Sequence, residues 1–369
     1  MKNSLLLCLF TFLLYAPILA QSKEATLTDG IGTYQQLFSA ADQDDVACYR
    51  IPALVTATNG NLLAAIDERV PSCGDLKWSE DINIVLRRSK DHGRNWSEIE
   101  TIVDFPLGQS ASDPSFILDE VTGEIFLFYN FMDLRKEKDV YYLHVVRSKD
   151  HGKTWSEPED ITSQITKADW HQDFKFITSG RGIQTRSGKL LHCLVNLDKG
   201  LYIYGSDDHG KSWFVIDTPI QPADESKIVE LSDGRWMINS RVNELGLRYV
   251  HISDDEGKSW ESQPDSTLID PGCNASLIRY AFEKNGKMRN CLVFSNLKSE
   301  EGRKNLNVRV SYDEGQHWSD GKVIYPGEAA YSSLSILENG EIGLFFEKDD
   351  YTQNVFVSFS YEWLTASPE

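Results

Sequence analysis

An eight-residue phrase, S-x-D-x-G-x-x-W, occurs five times along the chain. The copies begin at Ser89 ("SKDHGRNW"), Ser148 ("SKDHGKTW"), Ser206 ("SDDHGKSW"), Ser253 ("SDDEGKSW") and Ser311 ("SYDEGQHW"). Successive starts lie 59, 58, 47 and 58 residues apart. Recurrence at this spacing marks one structural unit repeated in an array. A strand-like run precedes each copy: "INIVLRR", "YYLHVVR", "GLYIYG", "RYVHI" and "LNVRV". Within the phrase, Asp can bond its own backbone and Gly supplies a positive φ, so the phrase reads as a tight turn. Trp is large enough to pin that turn onto the sheet. Each copy therefore joins two strands, with room for about two more before the next copy. "LSDGRWMIN" and "LENGEIGLFF" carry hairpin signs of their own.

Four strands per unit, arranged radially, predict an all-β fold, a six-bladed β-propeller of four-stranded antiparallel blades. Residues before Ser89 hold strands for a first blade. "SSLSIL", "EIGLFFE" and "NVFVSFS" follow the last copy, so the ring is expected to close with strands from both ends of the chain. The repeats then serve as scaffold. A catalytic phrase would need five equivalent sites, each with partners that the sequence does not repeat.

Residues 1–20 read as a secretory signal peptide: Lys2, an apolar run over 5–15, and small residues before a cut after Ala20. The run is short for a membrane span and Pro17 interrupts it. Residues 21–369 are expected to form one exported domain (periplasmic, cell-surface or secreted), monomeric and without stable membrane insertion. Removing Lys2 and no acid moves the net charge from -19 to -20. Such a chain has no general basic field for nucleic acid. An anionic ligand would have to be held by local arginines. Five cysteines remain without CxxC spacing, so no metal site is expected. They allow at most two bridges, and Cys273 and Cys291 could link neighbouring strands. Asn95 in "NWS" and Asn274 in "NAS" fit the glycosylation pattern.

Several polar residues sit in apolar or loop contexts that ask for a partner. Arg50 lies in "CYRIPAL". Strand alternation places it opposite Tyr49 and Ile51 and on the face of Leu54. An Arg in such a run is either buried with an acid or aimed at a ligand. Arg241 closes "WMINSR", and Arg303 opens "RKNL" with Lys304 and Arg309 as rivals. Arg309, like Arg87, Arg88 and Arg147, alternates along an outer strand and reads as structural. Glu347 ends the apolar run "IGLFFE". Tyr331 lies in "AAYSSL"; Glu225 lies in "ADESKIVEL", with Glu230 as its competitor. Asp75 occupies the Gly/Pro/Ser-marked loop in "ERVPSCGDLKWSEDINIV", six residues after Arg69. Glu80 and Asp81 are its alternatives, although Asp81 suits a structural place at a strand start. Asp113 in "SASDPSF" reads equally as an Asx-turn before Pro114. Gln184 lies in the glycine-flanked "GRGIQTRSG".

The repeated phrase resembles the Asp-box of the exo-sialidase (neuraminidase) family, and "CYRIPAL" resembles that family's Arg-Ile-Pro motif. The resemblance runs from about Gln36 to the C-terminus. It implies that Arg50, Arg241 and Arg303 converge on the substrate carboxylate, which guanidinium forks fit in charge and shape. It implies that Glu347 supports Arg50. Tyr331 would be the nucleophile and Glu225 its base; a neutral phenol avoids the repulsion a carboxylate would feel from an anionic sugar. Asp75 would be the acid/base. Arg69 would reach a substrate hydroxyl or the carboxylate region, Asp113 the N-acyl or hydroxyl side, and Gln184 would line the pocket. The activity implied is retaining exo-α-sialidase action on sialylated glycans, with no cofactor. A trans-sialidase, intermolecular or intramolecular, would share the site, with Trp78, Trp170 and Tyr202 able to form an aromatic acceptor platform. A sialoglycan-binding propeller without turnover is the alternative of another class.

Overall fold

The computed structural model describes residues 31–366. The signal-peptide reading lies outside the described residues. Strands pair antiparallel with their neighbours in groups of four, which we number as blades. Blade 1 comprises Cys48–Thr56, Leu62–Val70, Asp81–Ser89 and Glu100–Val103. Blade 2 comprises Gln109–Leu118, Ile125–Asp133, Tyr142–Ser148 and Glu159–Asp160. Blade 3 is built on Leu190–Asn196 and Gly200–Ser206; its inner strand is broken into Lys175–Ile177 and Ile183–Gln184. Blade 4 runs from Ser226–Glu230 to Glu261–Ile269. Blade 5 comprises Ser276–Lys284, Lys287–Leu297, Lys304–Ser311 and the first half of Lys322–Ile336. The second half of that long strand opens blade 6, followed by Ile342–Lys348 and Gln353–Phe359. Gln35–Phe38, from the N-terminal end, adds the fourth strand of blade 6. The ring thus has six four-stranded groups among the described residues, closed by both chain ends as predicted.

Continuous apolar strands follow from burial on both faces. In Ile125–Asp133, Ile125, Leu127 and Tyr129 pack towards blade 1, while Phe126 and Phe128 pack towards blade 3. One strand therefore supplies two inter-blade cores.

The repeated phrases all sit between the third and fourth strands of blades 1 to 5. In each, the Ser Oγ accepts the glycine N–H at 2.8 Å and donates to the Asp carboxylate. That carboxylate also accepts the N–H four residues after the Asp at 2.8–2.9 Å. These bonds hold Asp91, Asp150, Asp208 and Asp255 at a pKa of about 2. The glycine has positive φ, as expected, and it also abuts the preceding blade. A Cβ on Gly93 would stand 2.2 Å from the Phe356 ring, and one on Gly152 would stand 2.1 Å from Leu63. Trp96 packs on that same Phe356. The phrase is therefore a clasp between blades as well as a turn within one.

Around the ring axis the inner strands meet through small hydroxyls. Leu54 N–H donates to Ser333 Oγ at 3.0 Å, and Leu334 N–H donates to Ser276 Oγ at 3.0 Å. This stitching fixes how blades 5, 6 and 1 present their strand ends.

Candidate active site

Arg50, Asp113 and Tyr331 lie early in the inner strands of blades 1, 2 and 6. Glu225 immediately precedes the inner strand of blade 4, and Arg241 immediately follows its partner strand. Arg303 precedes Lys304–Ser311 in blade 5. Asp75 lies in the loop between the second and third strands of blade 1. Antiparallel pairing brings all these positions to one end of the ring.

Three of the inner strands break register where they carry a site residue: between Arg50 and Ala53, Ser112 and Ser115, and Ala329 and Ser332. β-Bulges of this kind re-aim side chains. Ile51 has φ 70 and Asp113 has φ 65. Positive φ at a β-branched residue costs about 1–3 kcal/mol. Buried carboxylates hold the backbone at each break. Glu347 accepts Ile51 N–H at 2.8 Å and Tyr331 N–H at 3.0 Å, and Asp67 accepts Asp113 N–H at 2.9 Å. Hydrogen bonds to a charged group contribute roughly 1.5–3 kcal/mol each, enough to offset the strain. The bulge also corrects the expected strand phase. Leu54 packs with Tyr49 in one core cluster rather than opposite it, because the break shifts the alternation by one residue.

Tyr331 is the centre of the constellation. Its hydroxyl donates to Glu225 Oε2 at 2.7 Å, and Arg241 Nη1 donates to the same oxygen at 2.5 Å. Arg241 Nη1 also lies 3.3 Å from the Tyr331 hydroxyl. The guanidinium of Arg50 is 5.8 Å from the Tyr331 ring centre, and that of Arg303 is 5.6 Å away. The three arginines therefore surround one phenol. Burial and the Glu225 charge push the Tyr331 pKa well up, with Arg241 and Arg303 opposing. The phenol is thus protonated and hydrogen-bonded to its acceptor.

Glu347, with no exposed side-chain surface, accepts Arg50 Nε at 2.7 Å. Burial alone would lower the Arg50 pKa, but the Glu347 charge reverses this and holds it above its ordinary value. Tyr351 joins two arginines: its ring lies 3.9 Å from the Arg50 guanidinium, and its hydroxyl accepts Arg303 Nη1 at 3.4 Å. Arg303 Nη2 donates to the Gly272 carbonyl at 3.0 Å. Asn243 accepts Arg241 Nε at 2.7 Å.

The Asp75 carboxylate accepts Arg69 Nη1 at 2.8 Å and remains 76% exposed. Arg69 is buried and clamped by Asp67 through Nε at 3.2 Å and Nη2 at 3.0 Å. Arg69 also donates to the carbonyls of Cys73 and Gly74. A disulfide joins Cys48 to Cys73. It ties the strand of Arg50 to the loop of Asp75. Asp67 accepts four hydrogen bonds, whereas Asp113 accepts one, from Asn130 Nδ2 at 3.0 Å. Burial, then the Asp67 charge, raise the Asp113 pKa, with Arg69 opposing. Asp67, with four donors against one, keeps the charge, so the proton of this pair resides on Asp113.

The BNR repeat-like domain profile matches residues 60–344. A sialidase of Micromonospora viridifaciens is 36% identical, over 86% of this chain and 52% of its own length. A sialidase of Bacteroides fragilis is 31% identical, over 83% of this chain and 61% of its own. The chain belongs to the BNR-repeat sialidase family. It spans about half to three-fifths of the length of these two relatives. The Hadza microbial sialidase Hz136 superposes with a TM-score of 0.80 at 29% identity, over 90% of this chain and 69% of that one.

Not every expected site residue of this family member joins the cluster. Gln184 does not. Its side chain bonds Asp119 Oδ1 at 2.7 Å, the Gly188 carbonyl and Glu120 N–H. With Thr56, Leu118 and Ser335 it lines a cavity of about 570 Å³ at the far ends of the inner strands. The broken inner strand of blade 3 carries Gln184 past the site to that opposite mouth. Glu230, the competitor of Glu225, is there too, paired with Arg186. Glu80 pairs with Arg135, and Arg309 bonds the Thr267 carbonyl at 2.7 Å. Trp170 and Tyr202 cannot form an acceptor platform: they are 1% and 4% exposed and pack on each other in the blade 3 core. Trp78 alone of the three is exposed, at 65%. Cys273 and Cys291 are unbridged and buried, as is Cys193. Asn274 is also buried; its amide donates to Ser179 Oγ and accepts Lys227 Nζ at 2.6 Å, so the folded chain offers no acceptor there. Sequence reasoning missed Asp67, Tyr351, Asn243 and the Cys48–Cys73 bridge. A carboxylate inside the apolar run "LLAAIDERV" was the one available signal, for Asp67.

Proposed function

We propose that the protein is a retaining exo-α-sialidase acting on sialylated glycans. The observation that carries this reading is the Tyr331–Glu225 hydrogen bond inside a ring of three arginines. Arg50, Arg241 and Arg303 bind the substrate carboxylate, a local anion site in a chain of net charge -19. Glu225 takes the Tyr331 proton as the phenolic oxygen forms a bond to the anomeric carbon. Asp75 gives a proton to the departing glycosidic oxygen as the carbon–oxygen bond breaks. In the second half, Asp75 takes a proton from water, whose oxygen attacks the same carbon. The bond to Tyr331 breaks, and Glu225 returns the proton to the phenolic oxygen. The arginines offset the substrate charge throughout, and Arg69 holds the Asp75 carboxyl in position. Asp113, carrying a proton, donates to the acyl or hydroxyl side of the sugar.

Export, by the leader read at residues 1–20, would place the enzyme where free glycans are met. Among the described residues, no helix is long and apolar enough to cross a membrane.

A fluorogenic sialoside tests the activity, and proton NMR of the first product tests the mechanism. Release of the α-anomer supports double displacement through Tyr331; direct release of the β-anomer contradicts it. Absence of release would leave a binding propeller. Transfer to an added sugar acceptor would give a sialylated acceptor in the same assay.

A further inference from the structure

The surface beside Asp75 carries two ammonium groups in a chain of net charge -19. Asp75 is followed by a single turn, Leu76–Trp78. Trp78 N–H donates to the Asp75 carbonyl at 2.7 Å, which holds the indole next to the acid. Leu76 anchors the turn against Met132 and Tyr141, so Trp78 is not needed for the core. Two ammonium groups attend the exposed indole. Lys77 Nζ lies 5.2 Å from its ring centre, and Lys138 Nζ, from the blade 2 side, lies 5.5 Å away. Lys77 meets Asp139 only at 3.7 Å, and Lys138 has no ion pair among the described residues. Lys77 also lies 5.7 Å from the half-exposed Phe174 ring, which stacks on Tyr141 at 4.6 Å. Two cations, an exposed indole and a second aromatic ring therefore border the acid in an otherwise acidic protein.

We propose that Trp78, Lys77 and Lys138 form a leaving-group subsite for a sugar that is itself anionic, bearing a carboxylate or a sulfate. The proposal rests on the sialidase reading of the site. There Asp75 touches the glycosidic oxygen, so the first sugar beyond the cleaved bond lies against the neighbours of Asp75. A pyranose face packs on the indole, and its anionic group meets the ammonium groups. The global negative charge repels such a substrate, so these lysines act locally, as the arginines do for the sialyl carboxylate. Their contribution is screened by salt.

The test compares kcat/KM for three substrates: 3′-sialyllactose, its galactose-sulfated derivative, and an α2-8-linked disialyl lactose. The quantity read is the anionic-to-neutral ratio of a variant divided by that of the wild type, which cancels intrinsic reactivity. Lys138→Ala is expected to lower this ratio about threefold, and the Lys77→Ala/Lys138→Ala pair about tenfold, at low salt. Lys138→Glu should lower it further, and high salt should erase the differences. A drop for the disialyl substrate alone assigns a second sialic acid, and a drop for the sulfated one alone assigns a sulfated sugar. An unchanged ratio in the double variant and in Lys138→Glu, with all substrates cleaved, overturns the subsite and leaves the sialidase reading intact. Cleavage of none of them by the wild type overturns both.

Discussion

Tyr331 and Glu225 are 106 positions apart, and a 2.7 Å hydrogen bond joins them. The same Glu225 oxygen accepts Arg241 Nη1, so one carboxylate links the proposed nucleophile to the proposed carboxylate clamp. A neutral phenol in a buried site is a poor nucleophile until its proton leaves. Tyr331→Phe and Glu225→Gln should each lower kcat by about 10²–10⁴-fold, the range for loss of a positioned proton acceptor or its partner. Steady-state rates on a fluorogenic sialoside check this. Near-normal turnover in Tyr331→Phe would remove Tyr331 from its role.

The clamp should be specific to charge and fork geometry. Arg303→Lys is expected to lower kcat/KM by roughly 100-fold, since a charge-assisted hydrogen bond contributes about 1.5–3 kcal/mol. The loss should shrink when the substrate is offered as its methyl ester. An equal loss for acid and ester would mean that Arg303 does not meet the carboxylate.

Glu347 has a structural as well as an electrostatic task. It takes Arg50, Ile51 N–H and Tyr331 N–H on one buried carboxylate. Glu347→Ala leaves a buried cation and two backbone donors without their partner, which should cost about 3–5 kcal/mol. Urea unfolding measures the change. A midpoint equal to the wild type would contradict this account of both bulges.

The Asp113 proton makes a signed prediction about stability. Its folded pKa is raised by burial and by the Asp67 charge, while an unfolded Asp titrates near about 3.9. Above that value the folded state binds more protons than the unfolded state, so stability falls as pH rises through the window. Asp113→Asn removes this titration, and its Tm should fall less steeply from about pH 4 upward. Asp67, also raised, leaves a residual slope in the same direction. Parallel curves for variant and wild type would refute the assignment.

The Cys48–Cys73 bridge closes a loop of sequence separation 25 and holds the Asp75 loop against the Arg50 strand. Cys73→Ser should lower stability by about 3 kcal/mol on the loop-entropy account. It should also lower kcat more than it raises KM, because the acid moves while the carboxylate clamp remains. A change confined to KM would place the effect in the clamp instead.

Much of the candidate site was legible in the amino-acid sequence. Arg50, Arg241, Tyr331 and Glu347 each sit in or beside an apolar strand, where a polar residue asks for a partner. Family resemblance supplied the roles proposed for them. Asp67 was within reach of the same rule. Gln184 misled because its glycine-rich context fits either mouth of the ring. Trp170 and Tyr202 misled because an aromatic residue in a sequence carries no sign of its burial.

The spacing of five polar phrases and the apolar runs around them specified four-stranded units in a ring, with six as the expected count. These depend on short-range chemistry: turn hydrogen bonds within eight residues and a two-residue strand period. Tertiary structure alone decided the rest. The positive φ of Ile51 is held by Glu347, 296 positions away, and that of Asp113 by Asp67, 46 positions away. Such bulges shift strand phase, and with it the direction of every later side chain. The Cys48–Cys73 pairing, the burial of Asn274 and the meeting of three guanidinium groups around one phenol follow from ring closure, which no local stretch of sequence contains.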